Sequence, residues 1–377
     1  MQFHHAQTAA ELVEQLVALW SGPREDPFAF DLAVVPGPGF QRWLSQQLAT
    51  ADDPAGVCAG VEFASLEALE WRLDGRDDPW RPERLAWLVQ QVAATCDDPE
   101  LEVLRRHLGA SRETFTAGRR IAGQFAGYAR HRPAMLAAWA DGADAGPDGR
   151  PLAENAWQAH LYRLLVAESG ANPVERRGAL LERLREGPVA GLAHRIAVLA
   201  PRRLDPATLD LLDALGTHHR LDALLLAPTP SRKPVPGTAG LRRTEFTRPV
   251  GHPLNEALGA VADEAALLVG PRDTVPAEPR VRNVPAAARR AGDTLLGWLQ
   301  ADLAADVAVP SPRVLSAGDH SVQIHLSHGR DRQVEVLREV LTAVLSDDPS
   351  LEPRDIAVIT PDVDAFAPLL AAAFTAP

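Results

Sequence analysis

The stretch DLAVVPGPGFQRWLSQQL, Asp31 to Leu48, decides the fold class. Asp31–Val35 is a short apolar run that stops at Pro36-Gly37-Pro38-Gly39, and Gln41–Leu48 then takes up a helical pattern. This is strand, tight loop, helix. The same order stands upstream. Gln2 and Phe3 lead into a helical pattern from Thr8 to Trp20, with Leu12, Leu16 and Leu19 on one face. Thr8 followed by Glu11 fits a capping box. Two successive β-loop-α units predict an α/β fold with a parallel sheet covered by helices.

Downstream, Arg81 to about Leu184 reads as mostly helix. Leu85, Leu88, Val89 and Val92 fall at helical spacing, as do Leu101, Leu104 and Leu108. Phe115–Ala129 ends at His131-Arg132-Pro133, Gly142–Pro151 is a loop, and Ala156–Ala167 and Arg177–Arg185 are two more helices. Strands return at RIAVL (195–199) and LDALLL (221–226), flanking a helix opened by Asp205-Pro206. The block at 81–185 therefore reads as an all-helical insertion in one α/β domain. Residues 231–319 are rich in Pro, Gly and Arg, with helices near Leu254–Leu268 and Ala286–Leu303. From 320 the pattern changes: SVQIHL (321–326) and IAVI (356–359) as strands, Arg330–Leu345 and Pro361–Ala373 as helices. That is the start of a second α/β domain, and the chain reads as a fragment.

The chain has 377 residues, 46% hydrophobic and 23% charged, a globular composition. No apolar run is long enough to cross a bilayer. The two cysteines, Cys58 and Cys96, have neither CxxC nor Cys/His spacing, and the N-terminus carries no secretory signal. A cytoplasmic protein without metal or disulfide framework is expected. The net charge of −12 argues against non-specific coating of nucleic acid but not against a local cationic channel. Of 38 basic residues only Lys233 is lysine, and it sits in a Pro-rich loop away from any phosphate cradle.

Catalytic motifs are wanting. Gly37-Pro38-Gly39 would need a glycine at 42 to make GxGxxG; Arg42 stands there, and Pro36 and Pro38 remove backbone donors. His4-His5 and His218-His219 lack HExxH spacing, and no GxSxG occurs. Asp52-Asp53, Asp77-Asp78 and Asp347-Asp348 adjoin prolines and read as turns or helix starts. More pointed are Arg119, Arg120, Tyr128, Arg130, His131 and Arg132 on and after one helix, Arg176-Arg177 opening another, and Trp43, Trp71, Trp80 and Trp87. Arginine with aromatics is the chemistry of single-stranded DNA grooves, cation to phosphate and ring to base. Tryptophans of this kind also pack in cores.

The stretch SVQIHLSHGRDRQVEVLREVLTAVLSDDPSLEPRDIAVITPDVDAFAPLL resembles the segment that opens the second motor domain of superfamily 1 helicases. With DPFAFDLAVVPGPGFQRWLSQQLA, EFASLEALEW, LRRHLG, YARHRPAMLAAW, ENAWQAHLYRLL, GHPLNEALGAVADEA and TLLGWLQADL, the chain resembles the RecC family, the gamma subunits of exodeoxyribonuclease V, along nearly its whole length. The resemblance implies a helicase-like, P-loop-NTPase-like motor fold: a 1A-like α/β domain at 1–80 and 186–230, a helical 1B-like insertion at 81–185, a connecting region at 231–319, and the start of a 2A-like domain at 320–377. It also implies RecB-like helicase/nuclease and RecD-like helicase partners, with single-stranded and duplex-end DNA as ligand. The role would be to guide the strand and scan it for the hotspot called Chi, in double-strand-break repair.

Within that resemblance the nucleotide site is degenerate. The P-loop position reads His4-His5-Ala6-Gln7-Thr8-Ala9-Ala10, with neither glycine nor lysine; the Walker-B position reads Ala200-Pro201-Arg202-Arg203. No ATP hydrolysis, catalytic residue, metal or cofactor is expected of this chain. Family positions for DNA contact carry over to Trp71, for base stacking, to Arg177, for phosphate or base, and to Arg42, in place of a polar reader. Pro36, Pro38, Ser65, Gly123, Gln124 and Ala126 depart from the family's pattern, which puts recognition of the same Chi sequence in doubt. A core role for Trp71 and a helix-end role for Arg177 stay open. So do two rival functions: a small-molecule α/β enzyme such as a nucleotide-sugar transferase, and an assembly module that never touches DNA.

Overall fold

The structure, a computed structural model, describes residues 1–24, 26–51, 56–75, 78–110, 114–201, 204–226, 251–259, 268–269, 293–308 and 311–375. Asp52, Asp53, Asp77, Arg202, Arg203 and Lys233 lie outside the described residues. The chain divides into two units, 1–284 with 302–310 and 285–301 with 311–377.

In the first unit, segments of four to seven residues form five strands: β1 (Gln2–Ala6), β2 (Asp31–Val34), β3 (Val61–Ala64), β4 (Arg195–Leu199) and β5 (Arg220–Leu226). They make one parallel sheet in the order β1-β5-β4-β2-β3. The first two β-loop-α units thus share a sheet, as their sequence predicts. β3 carries no strand signal in sequence and emerges as an edge strand, paired to β2 with Asp31 opposite Val61.

Helices cover both faces, which is why the central strands β2, β4 and β5 are mostly apolar, with Asp31 and Asp222 as buried, paired exceptions. One face meets α1 (Ala9–Trp20) and α2 (Pro38–Thr50): Leu12, Leu16 and Leu44 pack on Ala33, Ala197, Leu199 and Leu224. The other meets α3 (Leu66–Asp74), α9 (Pro173–Glu186) and α10 (Pro206–Leu215). There Leu69, Leu73, Leu180, Leu184 and Leu212 pack on Phe3, Leu32, Val34, Ile196 and Val198. The period-2 alternation of each strand supplies the two cores. Across β1 and β5, buried His4 places Nε2 2.8 Å from Asp222 Oδ1. At α1, Thr8 Oγ1 accepts from the Glu11 amide at 3.1 Å, but the Glu11 carboxylate reaches back to the Gln7 amide at 2.7 Å, one residue before the box predicts.

Between α3 and α9 lie α4 (Pro82–Thr95), α5 (Glu102–Ala110), α6 (Thr114–His131), α7 (Pro133–Ala140) and α8 (Trp157–Ser169). They enclose a separate core around Phe125, Trp139, Tyr162, Leu85 and Val89. Trp80 is buried in it and donates to the Ala171 carbonyl at 2.7 Å. The helical block expected at 81–185 differs at its end: Leu180 and Leu184 send α9 into the sheet core. Farther on, α11 spans only Pro253–Leu258 of the helix read at 254–268, and residues 260–267 lie outside the described ones. α12 is Leu295–Ala305, and residues 286–292 of the helix read there also lie outside.

In the second unit α13 (Gly329–Asp347) packs on α14 (Val363–Thr375), with the Arg330 guanidinium 5.9 Å from the Phe366 ring centre. The strands expected at 321–326 and 356–359 are not formed. Val322, Ile324, Leu326 and Ile359 are exposed. Alternation decides which side chains share a face, but a strand also needs a neighbouring edge for its N–H and C=O groups. No described residue supplies one to these segments.

Candidate nucleic-acid interface

Ser65 starts α3 by accepting the Ala68 amide at 3.0 Å, a helix N-cap. The helix faces the sheet with Leu69 and Leu73, which turns Trp71 outward, 49% exposed. α3 ends at Gly75, whose φ of 89° is a backbone conformation that favours glycine. Its amide donates to the Trp71 carbonyl at 3.2 Å, and its carbonyl accepts from Arg81 Nη2 at 2.9 Å. The returning chain lays the Arg81 guanidinium 4.9 Å from the Trp71 ring centre.

This pair borders an open cavity of about 680 Å³ beside the β3 edge, lined also by Glu62, Phe63, Arg72 and the turn 189–192. Arg72 Nη1 donates to Glu62 Oε1 at 2.6 Å across its wall. β3 bonds β2 at the Gly60 and Ala64 carbonyls, which accept from Asp31 and Val35. In a parallel ladder this directs the backbone groups of Val61 and Phe63 to the open side.

The other sequence-predicted residues lie elsewhere. Arg177, on α9, donates to the Ala207 carbonyl at the start of α10. Burial draws its guanidinium below the usual arginine range, and Arg130 adds to this, while Glu70, Asp74 and Asp205 oppose it. Arg42 is exposed on α2, across the sheet from Trp71, and no described carboxylate pairs with it. Trp71, Arg177 and Arg42 therefore do not converge on one pocket. Nor do the basic and aromatic residues of α6 form a continuous track. Arg119 pairs with Glu83 at 3.1 Å, Arg130 with Glu70 and Asp205, and Tyr128 donates to Gln158 at 2.9 Å while accepting from Gln124 at 3.0 Å. Arg176 pairs with Asp74 and Asp78. Trp87 is exposed and packs against Phe115 at 5.0 Å between ring centres, the rings tilted by 43°. Arg81 gave no signal in sequence, because its ten-residue separation from Trp71 closes only through the turn at Gly75.

The ends of β1 and β4 share one edge of the sheet with only β5 between them. Two strand spacings put them about 10 Å apart. The segments that the sequence resemblance likens to the P-loop and Walker-B positions are thus neighbours in space. The first is His4 to Ala10; the second begins with Ala200, in a left-handed conformation at φ 40°, and Pro201. Among the described residues no group of three His, Cys, Asp or Glu side chains is placed to hold a metal ion, and no helix is long and apolar enough to cross a membrane.

The family described as RecC, N-terminal domain, matches residues 1–306. The chain belongs to the RecC family. It is similar to the RecBCD enzyme subunit RecC of Mycobacterium tuberculosis, 40% identical over 99% of this chain and 36% of the relative. The RecC of Mycolicibacterium smegmatis is 39% identical over 99% of this chain and 34% of its own. That of Escherichia coli is 24% identical over 93% and 36%. This RecC-family chain therefore spans about a third of the length of the curated relatives it matches.

Proposed function

We propose that the protein is a non-catalytic DNA-handling and scaffold subunit of a RecBCD-type helicase–nuclease. It acts in double-strand-break repair, beside RecB-like helicase/nuclease and RecD-like helicase subunits, on duplex ends and single-stranded DNA. In this reading the sheet with α1–α3, α9 and α10 is a superfamily 1 1A-like domain, α4–α8 its 1B-like insertion, and residues 320–377 the start of a 2A-like domain. The motor architecture has lost its nucleotide chemistry: the β1–α1 connection offers no lysine to phosphate, and Ala200-Pro201 offers no carboxylate to a metal.

The observation that carries the DNA reading is Trp71. A half-exposed indole on the rim of an open cavity, beside Arg72 and Arg81, provides a stacking face next to cations. Arg42 would meet a different stretch of strand, on the other face of the sheet, and Arg177 would act mainly by fixing α9 to α10. Passage of the 3′-ended strand over this surface, with a scan for a Chi-like sequence, belongs to the same proposal. The test is Trp71→Ala in the full complex: single-stranded DNA affinity falls by about 1–3 kcal/mol for the lost stack. Unchanged affinity together with an unchanged hotspot response would remove Trp71 from the interface.

A further inference from the structure

Most arginines around α3 are neutralised. Arg72 is paired with Glu62, Arg130 with Glu70 and Asp205, and Arg176 with Asp74 and Asp78, whereas Arg183 donates to the Leu73 carbonyl and pairs with no carboxylate among the described residues. Arg81 is different. Its partners are a carbonyl, that of Gly75, and the π-face of Trp71, both formally neutral. Among the described residues no carboxylate pairs with it. A full positive charge thus stands over a half-exposed indole at the rim of an open cavity, held there by two partners that a phosphate outcompetes, since charge-assisted bonds to phosphate are the stronger kind. The backbone beneath it is fixed. Arg81 is the N-cap of α4 with extended φ/ψ of −62° and 134°, and Pro82 follows at the first helical position. The head group can move while the stem stays in place.

We infer that Arg81 is a nucleic-acid-contacting residue that covers one face of Trp71 in the free protein and exchanges that face for a phosphate when a base stacks on the indole. This rests on the reading of Trp71 as a base platform. A single-stranded nucleic acid is the ligand class that meets both groups at once, because it presents a flat aromatic base and an anion within one nucleotide. An acidic peptide would satisfy the guanidinium and leave the indole without a flat partner.

The test is binding of a single-stranded oligothymidylate to the full-length chain in its native complex, across a salt series, for wild type, Arg81→Gln, Arg81→Lys and Trp71→Ala. Glutamine keeps a donor for the Gly75 carbonyl and removes the charge; lysine keeps the charge. The expected result is a loss of about 0.7 from the slope of log affinity against log salt for Arg81→Gln, one phosphate contact on a single strand, with the slope retained in Arg81→Lys. Trp71→Ala is expected to weaken binding about equally at every salt concentration. If Trp71→Ala weakens binding but Arg81→Gln keeps the wild-type slope, the role of Arg81 is overturned and the platform stands. If Trp71→Ala binds like wild type, the platform fails, and the exchange on its face fails with it.

Discussion

Arg130 on α6 holds Glu70 on α3 through two parallel hydrogen bonds, Nη1 to Oε2 at 3.0 Å and Nη2 to Oε1 at 3.1 Å, while its Nε donates to Asp205 at 2.6 Å. One side chain therefore joins the helical block to both α3 and the start of α10, next to the residue that presents the exposed indole. Burial alone would draw this guanidinium down. The bonds to Glu70 and Asp205 outweigh it and hold the group above the usual arginine range.

Arg130→Met should destabilise the protein by about 2 kcal/mol, because it strands two partly buried carboxylates that lose charge-assisted bonds. The Asp205 carboxyl feels burial, which raises it, but Arg130 and the Thr208 amide bring it below the ordinary carboxylate value of 3.8. Its contribution is therefore complete above about pH 4 and is lost as acid titrates the folded-state group, since the unfolded chain binds that proton more readily. Urea unfolding from neutral pH down to about pH 3 reads both effects. A variant with the wild-type midpoint at neutral pH would show that the bridge is decorative.

Asp31 supports a second prediction. It begins β2, is 2% exposed, and takes Arg195 through Nε–Oδ1 and Nη2–Oδ2 bonds of 2.6 Å each. Arg24 adds bonds of 3.1 and 2.8 Å to Oδ2. Asp31→Ala leaves the Arg195 charge half-enclosed and should cost about 3–5 kcal/mol. Arg24→Ala removes the more exposed partner and should cost about 1 kcal/mol or less. Thermal unfolding of the two variants side by side checks the order; equal losses would contradict it.

The sequence makes the central sheet legible because burial on both faces leaves DLAVV, RIAVL and LDALLL as short, mostly apolar runs, broken inside only by Asp222, which His4 pairs. β3 escapes such reading: VEFA is four residues at an edge, and only its pairing with Asp31–Val34 makes it a strand. SVQIHL fails in the opposite sense, since its alternation is clear and its edge partner is not among the described residues. The site divides the same way. Exposed Trp71 follows from Leu69 and Leu73 facing the core at helical spacing, whereas the engagement of Arg130 and Arg177 by residues 60 and 30 positions away is long-range information that no local pattern carries.

The neutral form of His219 holds the wall of the Trp71 cavity. Its Nδ1–H donates to the Ala193 carbonyl at 2.8 Å, and its Nε2 accepts from the Val189 amide at 3.0 Å, in the turn that lines the cavity. A proton on Nε2 removes that acceptor. Burial lowers this imidazole below its ordinary value of 6.5; the Ala193 bond opposes the shift, and His194 and His218 reinforce it. The sign follows: the unfolded chain takes the proton first, so the interaction is complete above about pH 6.5 and weakens as pH falls through the lower folded-state value. Hydrogen exchange at the Val189 amide, corrected for intrinsic rate, should keep full protection above pH 6.5 and lose it as the pH falls below that value, and oligothymidylate affinity should fall in step. His219→Gln, which cannot titrate, should flatten both profiles. Protection that stays constant in the wild type from neutral pH down to acid unfolding would show that the turn is held by its packing and not by the imidazole.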